Sequence, residues 1–222
     1  MKVGTDSVVL GTIIPLSGLE KSVLDIGTGS GVLSLILAQR SDAIIHSIEI
    51  DDSASKQAKS NFQNSPWPNR LNLKNLSVQE YATTTRHLYD LIVCNPPYFN
   101  DKSNFKIEDL QRAKARYDAE LPFSELASCA FKLLNTTAMF WLILPVNESI
   151  QFELVASKIQ LFLVNKIWVK PKPNKAVKRV ILGFSKTVKE VKESEFILQD
   201  DFGNPSKEYI EISRDFYLRI DA

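Results

Sequence analysis

Ser22-Val23-Leu24-Asp25-Ile26-Gly27-Thr28-Gly29-Ser30-Gly31-Val32-Leu33-Ser34-Leu35-Ile36-Leu37 decides how the rest of this chain is read. Ser22 to Ile26 is an apolar run of strand length, and the apolar residues after Gly31 continue as a buried helix. Between them, three glycines at alternate positions permit positive φ and let the main chain approach a ligand with no Cβ in the way. The unit is a strand, a glycine turn and a helix. At the end of the next apolar run stands Glu49, in Ile48-Glu49-Ile50-Asp51. A carboxylate placed there can accept both hydroxyl protons of a ribose, so the turn and the acid together point to a nucleoside cofactor. A dinucleotide fingerprint wants G-x-G-x-x-G, with a pyrophosphate on the helix N-terminus. Gly27-x-Gly29-x-Gly31, preceded by an acidic Asp25, has a different spacing.

Outward from this unit, strands and helices alternate. Thr5 and Asp6 can cap a helix running to about Leu16, with Val9, Ile13 and Leu16 on one face and Gly18 ending it. Strands are expected at Ala43 to Ile48, Leu71 to Leu76, Tyr89 to Cys94 and Ala138 to Leu144. Helices are expected at Ser53 to Phe62, Pro122 to Leu134 and Glu148 to Ile159. Phe162 to Val169 and Lys178 to Phe184 form a late pair that suits an antiparallel hairpin at a sheet edge. The alternation predicts an α/β doubly wound sheet with helices on both faces. Asn95 to Ala119 and Lys170 to Ala176 are the longest stretches without a pattern, and long loops in compact domains are often functional.

The apolar run Tyr89-Asp90-Leu91-Ile92-Val93-Cys94 ends in Asn95-Pro96-Pro97-Tyr98. Asn95 offers a side-chain carbonyl, and Pro96 keeps its backbone carbonyl although it has no N–H. Two acceptors can then face one NH₂ group. An adenine or amide nitrogen is a poor nucleophile because its lone pair is delocalised. Acceptors that draw it toward tetrahedral geometry stabilise the transition state of alkylation. Tyr98 presents a ring on which a flipped-out base can stack, and Phe99 can help hold that base.

Together these motifs resemble the Rossmann-like, class I methyltransferases, and N-P-P-Y after the fourth strand resembles their amino-group N-methyltransferase branch, which modifies adenine N6, cytosine N4 or glutamine N5. The closer likeness is to the bacterial tRNA(Val) adenine-N6 methyltransferases. It rests on Lys2-Val3-Gly4-Thr5-Asp6, on Ser65-Pro66-Trp67 with Arg70, on Asn95-Pro96-Pro97-Tyr98-Phe99, and on Asp215-Phe216-Tyr217-Leu218. The resemblance implies a mostly parallel seven-stranded sheet with an antiparallel edge hairpin. It implies S-adenosyl-L-methionine as cofactor and methylation of the adenosine immediately 3′ of the anticodon, position 37. It places Lys2, Gly4, Thr5 and Asp6 at the closing of the cofactor pocket and Asp25 near the cationic methionine end. Gly27, Thr28, Gly29, Gly31, Glu49, Ile50 and Asn95 also line that pocket. The family often has an acid contacting the cofactor adenine where this chain has Ser77-Val78-Gln79, so Ser77 or Gln79 substitutes for it, and Ser77 and Val78 are counted with the cofactor pocket. Members carry a further basic and aromatic stretch ahead of the run with which this sequence opens.

The chain has 222 residues, 44% of them hydrophobic, enough for one sizeable core. A single domain over 1–222 is expected, with 1–20 a cofactor-closing helix, 21–186 the core and 187–222 a C-terminal extension. A formal charge of +1 gives no global attraction to nucleic acid, so RNA contact has to come from a patch. Lys166, Lys170, Lys172, Lys175, Lys178 and Arg179 gather around Trp168, and Arg116 with Lys102, Lys106, Arg112 and Lys114 adds charge after the N-P-P-Y turn. The partner expected is the anticodon stem-loop of a tRNA. Cys94 and Cys129 show no metal-ligand spacing, and no apolar run reaches bilayer length, so the expected setting is cytoplasmic, without metal or membrane. His46 and His87 are expected to be structural. The competing readings are a glutamine N5 methyltransferase acting on a release factor, a DNA adenine methyltransferase, and an RNA-binding protein that kept the fold without the activity.

Overall fold

The computed structural model describes residues 4–96 and 121–216. Its helices are α1 (Thr5–Ile13), α2 (Val32–Arg40), α3 (Asp52–Gln63), α4 (Val78–Thr84), α5 (Phe123–Leu133), α6 (Val146–Ser157) and α7 (Lys207–Ser213). Its strands are β1 (Ser22–Ile26), β2 (Ile44–Ile48), β3 (Leu71–Lys74), β4 (Tyr89–Cys94), β5 (Leu134–Pro145), β6 (Phe162–Lys170), β7 (Arg179–Ser185) and β8 (Lys192–Ile197). They form one sheet in the order β3-β2-β1-β4-β5-β7-β6-β8, in which β7 alone runs against its neighbours.

Alternation along the strands explains why they read as continuous apolar runs. Leu24 and Ile26, Ile92 and Cys94, and Phe140, Leu142 and Leu144 turn to the face covered by α4, α5 and α6, where Leu126, Leu133 and Phe152 meet them. Val23, Leu91, Val93, Trp141 and Ile143 turn to the face covered by α1, α2 and α3, against Leu10, Leu33, Leu37 and Phe62. Both faces are dry, so no polar phase appears in the sequence. Gly183 in β7 leaves room for the indole of Trp141 on β5. A Cβ there would lie 2.8 Å from Cζ3.

The seven-strand expectation is corrected to eight among the described residues. β8, Lys-Glu-Ser-Glu-Phe-Ile, adds parallel to β6, so the β6–β7 hairpin is not the rim of the sheet. Its first four residues are exposed, and only Phe196 is buried. It is held by ladder hydrogen bonds and by polar pairs from Glu195 to Lys170 at 2.8 Å and from Glu193 to the Trp168 indole N–H at 2.9 Å. α4 is likewise an addition to the expected elements. β5 begins directly after α5, four residues ahead of the apolar run, because Thr136 and Thr137 extend readily. His46 and His87 stand against each other and Tyr89, with ring centroids 5.2 Å apart for the two histidines. Tyr89 opens β4, at the end of the sheet opposite the glycine turn, and its hydroxyl bonds His46 Nδ1 at 2.9 Å and Tyr81 at 2.5 Å. Burial, then His87 and Lys74, lowers the His46 pKa.

Candidate active site

The carboxyl ends of parallel β1, β2 and β4 open on one edge, the usual place for a ligand in this architecture. After β1, Gly27 and Thr28 donate to the Ile48 carbonyl at 2.9 and 3.0 Å, which folds the turn over the end of β2. Gly27, Gly29 and Gly31 have φ of +71°, +58° and +87°. Two of them serve opposite purposes. A Cβ on Gly31 would sit 2.4 Å from Phe62, whereas a Cβ on Gly27 would have nothing within 4 Å. Gly31 is a packing glycine, and Gly27 borders open space.

Asp25, at 1% exposure, is buried beneath this turn. Its Oδ2 accepts from Thr28 at 2.6 Å and Ser34 at 2.7 Å, and Ser34 is joined in turn to Ser47. Oδ1 is buried with no hydrogen-bond partner. Burial, reinforced by the Glu49 charge and opposed by the hydroxyl bonds, raises its pKa to about 6. Such a group is suited to compensation by a nearby cation. Glu49 sits just past β2. Its Oε2 accepts Gly29 N–H at 2.8 Å and its Oε1 accepts Asp51 N–H at 2.9 Å. Each oxygen keeps a second lone pair for a ribose hydroxyl. Asn75 donates to the Glu49 carbonyl at 2.8 Å and fixes that turn from β3. Beside it Ile50 is 59% exposed, an apolar side chain left bare at the rim.

Asn95 follows β4. Its Nδ2 donates to Ser7 Oγ at 2.8 Å, while its Oδ1 is buried without a partner. An unmet buried acceptor costs about 1–3 kcal/mol, so this oxygen is poised to take an N–H from a ligand. Pro96 is buried beside it. Ser7 had no motif to announce it. It reaches Asn95 because α1 is docked at three points. Arg40 donates to the Gly11 and Ile14 carbonyls at the end of the helix. Gly11 lets α2 approach so closely that a Cβ would lie 2.9 Å from Ile36 and Leu33. Arg179, at the start of β7, donates from Nε to Asp6 at 3.0 Å.

Other predicted site residues are placed as follows. Gly4 is the N-cap of α1 and Thr5 its exposed first residue. Ser77 caps α4 by accepting Glu80 N–H at 3.1 Å, and Val78 is 4% exposed within the core, leaving only its main chain for a cofactor. The basic cluster is partly consumed internally. Lys166 is paired with Glu153 at 2.6 Å, Lys170 with Glu195, and Arg179 with Asp6. Their carboxylates come from other elements, which a linear reading of the cluster overlooks. Lys172 lies against the Asp201 carbonyl at 3.4 Å, and Lys175 and Lys178 are exposed. Lys2, Pro97, Tyr98, Phe99 and Arg116 lie outside the described residues.

These features fit an adenosylated sulfonium amino acid. There is open space over Gly27, a carboxylate for a ribose at Glu49, an uncompensated anion at Asp25, and an apolar side chain at Ile50 for a base. No helix among the described residues is long and apolar enough to cross a membrane.

Comparison with known proteins agrees with the geometry. Residues 2–116 match the family model described as methyltransferase small domain. The chain is 38% identical to the tRNA1(Val) (adenine(37)-N6)-methyltransferase of Flavobacterium psychrophilum, covering 99% of this chain and 94% of that protein. It is 36% identical to the protein of the same name from Bacteroides fragilis, over 99% and 92%. Among solved structures, a predicted O-methyltransferase from Agrobacterium tumefaciens superposes with a TM-score of 0.74 at 12% identity, covering 95% of this chain and 96% of that one. A methyltransferase from Pyrococcus furiosus gives 0.51 at 20%, covering 76% of each. At those identities the two structures speak for the fold, which is that of the class I methyltransferases.

Proposed function

The chain belongs to the small-domain methyltransferases and, within them, to the family of tRNA1(Val) (adenine(37)-N6)-methyltransferases, and on that premise we propose that Asn95 presents its carboxamide oxygen to the N6 amino group of an adenosine in the anticodon loop of a tRNA. The reaction is S-adenosylmethionine-dependent N6-methylation of tRNA adenine. The observation that carries the residue assignment is Asn95 Oδ1, a buried acceptor without a partner at the end of β4.

When bound, S-adenosylmethionine supplies an electrophilic methyl group on a sulfonium. The chain's own residues do the rest. Glu49 holds ribose hydroxyls, Asp25 balances positive charge beneath the glycine turn, and Ile50 covers an apolar base face. Asn95 Oδ1 and the Pro96 carbonyl each accept one N–H of the target amine, which localises the nitrogen lone pair and points it at the incoming methyl. The new N–C bond replaces the methyl–sulfur bond, so the positive charge passes to the nitrogen, and a proton departs from it to water. No side-chain base of high pKa is required, because that cationic nitrogen is itself acidic. Tyr98 and Phe99 are proposed to hold the extruded base by stacking.

The test is transfer of labelled methyl to unmodified total tRNA, followed by digestion to nucleosides and mapping of the label. N6-methyladenosine at position 37 is the expected product. Cofactor binding without labelled tRNA, or label on another nucleoside, would overturn the proposal.

A further inference from the structure

Phe202 is 91% exposed, the most exposed large apolar side chain among the described residues. It stands on a turn built to hold it outward. Asp200 N–H donates to Asn204 O at 2.9 Å, and Asn204 N–H donates to Asp200 Oδ1 at 2.9 Å. Gly203 takes φ of +96°, and Gln199 bridges Pro205. The turn is braced against the β6–β7 loop as well. Leu198 N–H donates to Lys170 O and Gln199 N–H to Pro171 O, Asn174 donates to Asp201 Oδ1, and the Lys172 ammonium lies 3.4 Å from Asp201 O.

Topology fixes where this ring is. β6 and β8 run parallel to each other, β7 opposes β6 and β5, and β5 is parallel to β4. The ends of β6 and β8, and therefore the Phe202 turn, lie on the same edge as Asn95. They are three to four strands away from it, or about 15–20 Å at the usual strand spacing. Lys172, Lys175 and Lys178 lie on the intervening loop. Asp200 and Asp201 are also here, but both carboxylates accept hydrogen bonds that build the turn.

We propose that Phe202 is a stacking platform for an unpaired base of the RNA substrate, a few nucleotides from the adenosine delivered to Asn95, with Lys172, Lys175 and Lys178 meeting the intervening phosphates. This rests on the RNA reading of the active site and deepens it. The braced turn fixes the main chain that carries the ring, a phenyl side chain has only two torsions to lose on stacking, and every base presents a π-face to it. Neighbouring ammonium groups supply the sequence-independent attraction that brings a backbone alongside.

The experiment compares the whole protein with Phe202→Ala and Phe202→Trp in two readouts, binding of an anticodon stem-loop RNA and steady-state tRNA methylation. Stacking of one base is worth roughly a tenfold change in affinity or more. Phe202→Ala is expected to raise the RNA Kd and the KM for tRNA by about that factor, with kcat, cofactor affinity and melting temperature unchanged. Phe202→Trp is expected to retain wild-type KM, and its added indole emission is quenched by the stem-loop but not by a fully paired duplex. Unchanged RNA Kd and KM in Phe202→Ala overturn the platform, including the case in which Phe202 docks a protein. Failure of the wild type to methylate tRNA would overturn the RNA reading instead, and the two failures are separately visible.

Discussion

Acidification is expected to weaken cofactor binding, with Asp25 the group responsible. Its carboxyl titrates at about 6 in the unliganded fold against an ordinary 3.8, chiefly because burial strips it of water and then because Glu49 is near. The sign follows from the folded state preferring the protonated acid. The penalty on folding is absent below the unfolded pKa, grows as pH rises through the folded value, and is complete above it. A difference of about two units is on the order of 3 kcal/mol. At neutral pH the fold therefore carries a strained anion beneath Gly27. A cation laid over the turn relieves it, so binding favours the ionised acid and pulls its pKa below 6. The dissociation constant of S-adenosylmethionine then rises about tenfold per pH unit below 6, until the pKa of the complex is reached. Calorimetric titration at pH 8, 7, 6 and 5 checks this, with adenosine as a control that lacks the cationic end and shows no such slope. Asp25→Asn is expected to bind weakly at every pH with a flat profile, and its melting temperature is expected to gain on the wild type at pH 8 and to keep only about half of that advantage at pH 5, which lies between the unfolded and folded values. A wild-type dissociation constant unchanged between pH 8 and 5, or an Asp25→Asn variant that keeps the slope, would refute the reasoning.

Asn95→Ala should lower kcat by roughly a hundredfold or more, the scale of losing one preorganised transition-state partner, with calorimetric cofactor affinity within about threefold of wild type. Ser7→Ala releases the Asn95 amide and should lower kcat by about five- to tenfold at unchanged KM, the scale of one hydrogen bond. Ser7→Thr should restore it, and a merely structural serine would not give that split. Gly31→Ala combines a left-handed φ with a contact against Phe62 and should cost about 2–4 kcal/mol, seen as a melting point lower by about 5–15 °C.

How much of this was legible in the sequence depended on whether a residue's role was set by its neighbours along the chain. The glycine turn was readable because spacing alone encodes positive φ next to a strand end, and Glu49 because a parallel strand of known length delivers it to the same edge. β4 and Asn95 were readable for the same reason. α4 carries a local signal, since Ser77 and Glu80 form the N-terminal half of a capping box before a helix of seven residues. β8 carried none. Four exposed polar residues have no strand period, and only the facing Lys170 and Trp168 of β6 give them partners. Ser7 is set by a contact across 88 residues, and nothing local marks it. The internal pairing of the basic cluster was not legible for the converse reason. Charge counted along one segment ignored Glu153 on α6 and Glu195 on β8, which a parallel neighbour and a covering helix bring alongside.

The reversal of β7 links the two halves of the site. Had β7 run with the others, the β6–β7 connection would have needed a crossover and the chain would have entered β7 at the far edge. Because it runs backward, a short loop suffices, and β7 begins at Arg179, level with Pro145 at the end of β5. Arg179 can then reach Asp6 and hold α1, whose next residue, Ser7, orients Asn95. The same loop that carries Lys172, Lys175 and Lys178, the proposed phosphate contacts, thus ends in the residue that anchors α1 beside Asn95. Removing the Arg179 charge loosens α1 as well as the loop's own edge, so a loss of RNA methylation in that variant reports on Asn95 placement and cannot be counted as a phosphate contact. Lys175 and Lys178, with no ion-pair partner among the described residues, are the positions where charge reversal reads RNA affinity alone.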